Sequence, residues 1–157
     1  MPRVFYAPSQ PLSKILRILI RELGLTHIDP DRVYAAWSFG SSTRAYARIW
    51  GVPSPFAKLG LCRPSYVVEA VYERFSRLSC REALATLLHE LMHIPKSFSG
   101  SLRPHGRWTS PTTISSALEK VLANTADSLC SLLDEALREA EQLCPEKARK
   151  ASRARRA

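Results

Sequence analysis

The sequence predicts an α+β domain. Three observations carry that expectation: a helix-period apolar stripe near the start, three short β-branched or aromatic runs after it, and two helix-period segments that close the chain. The predicted order is an N-terminal helix, a three-stranded, largely antiparallel sheet, a second helix and a long C-terminal helix. At 157 residues and 45% apolar content, the chain is large enough for one packed core and too apolar for general disorder.

Residues 9–23, SQPLSKILRILIREL, form the first predicted helix. Ser9 or Gln10 can cap it, Pro11 suits its first turn and Gly24 ends it. Leu12, Ile15, Leu16, Leu19 and Leu23 make its apolar stripe. Three strand candidates follow. RVYAAWSF (residues 32–39) alternates Val33, Ala35, Trp37 and Phe39 on one face. RAYARIW (44–50) puts Ala45, Ala47 and Ile49 opposite Arg44 and Arg48. YVVEAVYERF (66–75) is β-branched and aromatic and alternates Tyr66, Val68, Ala70 and Tyr72. A proline-bearing loop, GVPSPFAKLGLCRP, separates the last two.

The second helix starts at Ser79, three residues ahead of Glu82, which is capping-box spacing. It runs through ALATLLHELMHI and must stop at Pro95. Leu84, Leu87, Leu88 and Leu91 face the core in that helix. The last helix begins at Ser110-Pro111 or a nearby threonine and reaches towards Cys144-Pro145. Leu118, Leu122, Leu129, Leu133, Leu137 and Ala140 mark its buried stripe. Residues 1–145 are thus expected to form one domain.

The net charge is +9, and residues 146–157 supply part of it, with six basic residues and one acid. That segment is expected to be a disordered basic tail, able to make non-specific contacts with nucleic acid. The four cysteines, Cys62, Cys80, Cys130 and Cys144, form no C-x-x-C pair, so free, buried or idle thiols in a reducing compartment are expected. Lys14, Arg17 and Arg21 interrupt the first apolar stretch, and no apolar run is long enough for a membrane span. The expected compartment is the cytoplasm.

Residues 89–106 read HELMHIPKSFSGSLRPHG. His89 and His93 are four apart on a helix, so both imidazoles can converge on one cation. Glu90, next to His89, is placed to act as general base towards a water in the ion's open position. His105 lies past an eleven-residue loop and between Pro104 and Gly106, and is the expected third ligand; Glu119 on the last helix is its competitor. One Zn(2+) per chain is the expected cofactor. His27 is expected at the surface or as a cap. Arg103, Arg107 and Tyr72 are candidates for substrate binding or for stabilising an oxyanion.

This histidine pattern resembles the SprT-like branch of the zincin metallopeptidases, in which a third histidine followed by glycine comes after a similar gap. Trp108 stands where that branch has an aromatic residue, one position early. The run from YVVEAVYERF through the histidines looks still more like the small metallopeptidases of archaea and phages. The resemblance covers roughly residues 30–108. It implies a minimal zincin-like fold, a metal on His89, His93 and His105, Glu90 as base, a peptide or protein substrate, and an edge strand that holds the substrate by β-augmentation, for which YVVEAVYERF is the candidate. The chain has no zinc-binding cysteine cluster and no separate DNA-reading module, so no repair function carries across. A second reading is a metal-stabilised, non-catalytic module that binds nucleic acid or a protein through its basic surface and tail; a third is hydrolysis of a non-peptide amide.

Overall fold

The structure is a computed structural model that describes residues 3–144. A short strand, β1 (Phe5–Pro8), precedes the first helix, α1 (Gln10–Glu22). The Ser9 side chain caps α1 by accepting the Leu12 N–H at 3.2 Å, and Pro11 occupies the first turn. Leu12, Ile15, Leu16 and Leu19 are wholly buried. Each such side chain contributes about 1.5–3 kcal/mol over an exposed one, so packing rather than propensity holds this helix.

The sheet differs from the sequence expectation. β1 joins β2 (Val33–Phe39), β3 (Ala47–Trp50) and β4 (Tyr66–Val71) in a four-stranded mixed sheet of order β1-β2-β4-β3. β1 runs antiparallel to β2, β2 parallel to β4, and β3 antiparallel to β4. The expected three-stranded, largely antiparallel sheet is therefore incorrect. β1 escaped because FYAP is too short to show a period and ends in proline, which suits an edge. β4 lies between β2 and β3 and is not an edge strand. Its near-continuous apolar run, YVVEAV, is what a strand enclosed on both sides carries.

Two further boundaries move. The expected strand 44–50 is regular only from Ala47, and the loop after it holds a one-turn helix, α2 (Ser54–Lys58). The expected strand 66–75 stops at Val71 and turns into α3 (Tyr72–Phe75). Tyr72 and Phe75 share one face of that turn and both pack edge-on against Trp37, at 5.9 and 5.6 Å between ring centroids.

The capping box is present at α4 (Cys80–Leu91): the Ser79 side chain accepts from Glu82 N–H, and Glu82 accepts from Ser79 N–H. α4 ends at Leu91 rather than at Pro95, and tighter turns follow, with His93 N–H donating to Glu90 and Ile94 N–H to Leu91. The last helix is α5 (Pro111–Leu143), capped by Ser110. Leu118, Leu129, Leu133 and Ala140 of the expected stripe are buried, joined by Ile114, Val121 and Ala136. One core lies between the helices and the sheet face that carries Val33, Ala35, Trp37, Val68 and Ala70. Among the described residues, no helix is long and apolar enough to cross a membrane.

The cysteine expectation also changes. Cys80, in the first turn of α4, is disulfide-bonded to Cys130 of α5, with 5.7 Å between Cα atoms; Cys62 is exposed and Cys144 buried, and neither takes part in this bridge. A separation of 50 residues matches no short cysteine motif, so only the packing of α4 on α5 reveals the pair. The expected basic tail, 146–157, lies outside the described residues.

Candidate metal centre

The phase of α4 decides where its polar residues point. With Leu84, Leu87, Leu88 and Leu91 buried, His89 and Glu90 sit half-buried on the last turn. His93 follows just beyond the helix and is buried. The Nε2 atoms of His89 and His93 are 3.4 Å apart. His105 closes a triangle, its ring centroid 5.2 Å from that of His89 and 4.6 Å from that of His93. One ring nitrogen from each histidine can be chosen so that all lie within 4.8 Å of one another. Two nitrogens bound tetrahedrally at zinc distances would stand about 3.3–3.4 Å apart, so the His89–His93 edge already fits such an ion.

The segment after α4 brings His105 back, and it is pinned at several points. The Tyr66 hydroxyl donates to the Ser101 carbonyl at 2.8 Å and accepts from Gly100 N–H at 2.9 Å. Val52 N–H donates to the Gly100 carbonyl at 2.9 Å. Gly51 is required at this crossing, because a Cβ there would stand 2.0 Å from the Gly100 oxygen. Arg103 N–H donates to the His93 carbonyl at 2.8 Å, and Arg103 Nε to that of Met92 at 2.7 Å. The guanidinium also lies 4.4 Å from the centre of the Trp108 ring, whose Nε1 donates to the Pro104 carbonyl. Arg103 thus fastens the returning loop to the end of α4 through its backbone N–H and its Nε.

The same segment orients the imidazoles. His93 Nδ1 donates to the Arg103 carbonyl at 2.8 Å, which leaves Nε2 with a lone pair facing His89. His89 makes a hydrogen bond to the Thr109 backbone. Burial, then the neighbouring His93 and His105, hold His89 below the ordinary histidine range, which favours the neutral, metal-binding form. Burial pushes the Glu90 carboxyl up to about 7.

A cavity of about 660 Å³ opens beside His89 and His105, between α4 and the start of α5. Ala85, Ile114 and Leu118 give it an apolar lining, with Thr86 and Ser115 as polar neighbours. Arg81 lies at this cavity and pairs with Glu119, so the competing ligand is engaged elsewhere and is not part of the histidine cluster. Tyr72 is buried against Trp37 and Phe39 in the core. Arg107 is exposed in a 3-10 turn (Arg107–Thr109) directly after the His105-Gly106 pair. His27 is half-buried and donates from Nε2 to the Ile94 carbonyl at 3.2 Å, so it braces the end of α4. Sequence reasoning missed Tyr66, Gly51, Gly100 and Thr109, whose roles depend on contacts between distant segments and leave no local pattern.

A family model described as "putative phage metallopeptidase" matches residues 4–129. No curated protein and no solved structure matches the chain.

Proposed function

Since the chain belongs to the phage metallopeptidase family, we propose that it is a single-zinc peptidase of the SprT-like zincin type, acting on peptides or proteins. The observation that carries the reading is the convergence of His89, His93 and His105, with the half-buried carboxyl of Glu90 next to His89 on the same helix. The three imidazoles would hold the ion, and three neutral nitrogen ligands suit zinc. When bound, the ion supplies a Lewis acid that polarises a carbonyl and makes water a better nucleophile at neutral pH.

The chain's own groups do the rest. Glu90 takes up the proton of the attacking water on a carboxylate oxygen and returns it to the leaving amine, a task that suits a carboxyl raised towards neutrality. The Arg103 carbonyl and the Thr109 backbone hold His93 and His89 in their tautomers. β3 is the sheet edge that packs with α4, and it can align an extended substrate by backbone hydrogen bonds. The cavity beside His89 receives an apolar side chain of that substrate. Arg107, exposed directly after the His105-Gly106 pair, is a candidate for stabilising negative charge on the scissile carbonyl, as are the terminal nitrogens of Arg103. Residues 1–145 act as one such domain in the cytoplasm.

Elemental analysis of purified protein should give about one zinc per chain. Glu90→Gln should keep the metal and lose hydrolysis of a peptide pool. Zinc-loaded protein that cleaves nothing, or a Glu90→Gln variant as active as the parent, overturns the assignment.

A further inference from the structure

The helices cover one face of the sheet and leave the other open among the described residues. Paired residues share a face, so the register maps the open one. Tyr34 of β2, Val67 of β4 and Trp50 of β3 form one row across it. Tyr6 of β1, Ser38 and Val71 form another. Val71 N–H donates to the Tyr46 carbonyl, which extends that second row to Tyr46. Between the rows lie Pro8, Ala36, Glu69 and Arg48.

Aromatic rings on this face stand in solvent: Tyr6 is 52% exposed, Tyr34 52%, Tyr46 45% and Trp50 49%. Between them, Ala36 and Val67 are half-buried, while Ser38 and Val71 lie buried beneath the surrounding side chains. The one carboxylate among these paired residues, Glu69, is fully buried. Glu69 accepts from Arg48 Nε at 2.9 Å and from Trp50 Nε1 at 2.7 Å. Burial opposes its charge, but these bonds outweigh it and hold Glu69 below the ordinary carboxylate range. The Arg48 guanidinium also lies 5.0 Å from the Trp50 ring centre. Arg3, Arg44 and Arg63 are exposed near the strand ends and make no ion pair among the described residues.

We propose that this open face binds single-stranded nucleic acid, with bases stacking on Tyr34, Trp50, Tyr6 and Tyr46 and phosphates meeting the arginines. Aromatic rings on a shallow platform accept any base, and surrounding arginines supply the backbone contact. A second copy of the chain fits less well, because each copy carries a net charge of +9 and this face offers no accessible carboxylate to its partner. The surface works independently of the histidine cluster, so this inference stands or falls apart from the peptidase reading.

Fluorescence anisotropy of a labelled oligothymidylate tests it on the whole chain at low and moderate salt. Tyr34 is exposed and outside the core, so Tyr34→Ala should fold as the parent does and bind about 5- to 100-fold more weakly. Tyr34→Phe keeps the ring and should bind like the parent. A third variant, with glutamine at the six basic positions of residues 146–157, should retain dependence on Tyr34. The proposal is overturned by no binding at low salt, by equal affinity in Tyr34→Ala, or by binding that vanishes with the tail charges alone. It is equally overturned if sedimentation shows a dimer that Tyr34→Ala dissociates, which would make the face a self-association surface.

Discussion

Glu90 carries the most informative titration of the molecule, because burial pushes its carboxyl up to about 7. Between its ordinary range and that value, the folded protein holds a proton that the unfolded chain has released. The neutral carboxyl therefore favours folding at low pH, and that contribution is lost as pH rises through about 7. In metal-free protein, Glu90→Gln removes the loss. It should exceed the parent in unfolding free energy at pH 8 by roughly 2–3 kcal/mol, and the gap should close as pH falls towards the usual carboxylate range. Urea melts of EDTA-treated protein at several pH values measure this, and parallel pH profiles would mean that Glu90 ionises as it does in water. His105 makes a different prediction. It is exposed, so His105→Ala should change metal-free stability by no more than about 0.5 kcal/mol while zinc content falls well below one per chain. Full zinc retention in that variant would remove His105 from the ligand set.

The returning loop depends on its crossing with the end of β3. A methyl group at Gly51 would meet a backbone oxygen, which cannot rotate away as a side chain can. Gly51→Ala should therefore cost about 2–4 kcal/mol by urea melt and weaken zinc binding, because the displaced Gly100 segment leads to His105. Unchanged zinc affinity would uncouple this crossing from the site. The same elements explain what the sequence could and could not reveal. Ser9, the Ser79–Glu82 box and Ser110-Pro111 announce helix starts through local hydrogen bonds, and α1, α4 and α5 begin there. His89, His93 and His105 were legible for a related reason: one helical turn and a bounded loop constrain where they can meet. Strand order has no such local signal. The parallel pairing of β2 with β4 is set by inner faces packing under the helices, and the turn at Tyr72 by a fit against Trp37. Tyr66 looked like an ordinary strand residue because the groups its hydroxyl serves are 34 and 35 positions away.

At the scale of the molecule, the site is assembled where α4, its returning loop and α5 meet, and the disulfide between Cys80 and Cys130 ties the two helices together. The segment it closes spans 50 residues and contains His89, His93 and His105. Such a crosslink acts mainly on the unfolded chain, whose freedom it restricts. For a loop of this size the chain-entropy argument gives about 4 kcal/mol, and measured bridges commonly deliver about 2–4. The folded site itself rests on contacts that the bridge does not make: the Tyr66 anchor, the Gly51 crossing and the Arg103 clamp. Stability and metal binding should consequently separate. Cys130→Ser, compared with the parent under non-reducing conditions, should lose about 2–4 kcal/mol of unfolding free energy. At saturating zinc and below its melting transition, it should still bind one ion per chain. Cys80→Ser combined with Cys130→Ser should be no less stable than Cys130→Ser alone, since both changes delete the same bond. A thiol count in denaturant decides the premise directly: reduction of the parent should release two more reactive thiols than reduction of the Cys80→Ser, Cys130→Ser double variant, and equal release would remove the bridge along with the stability difference.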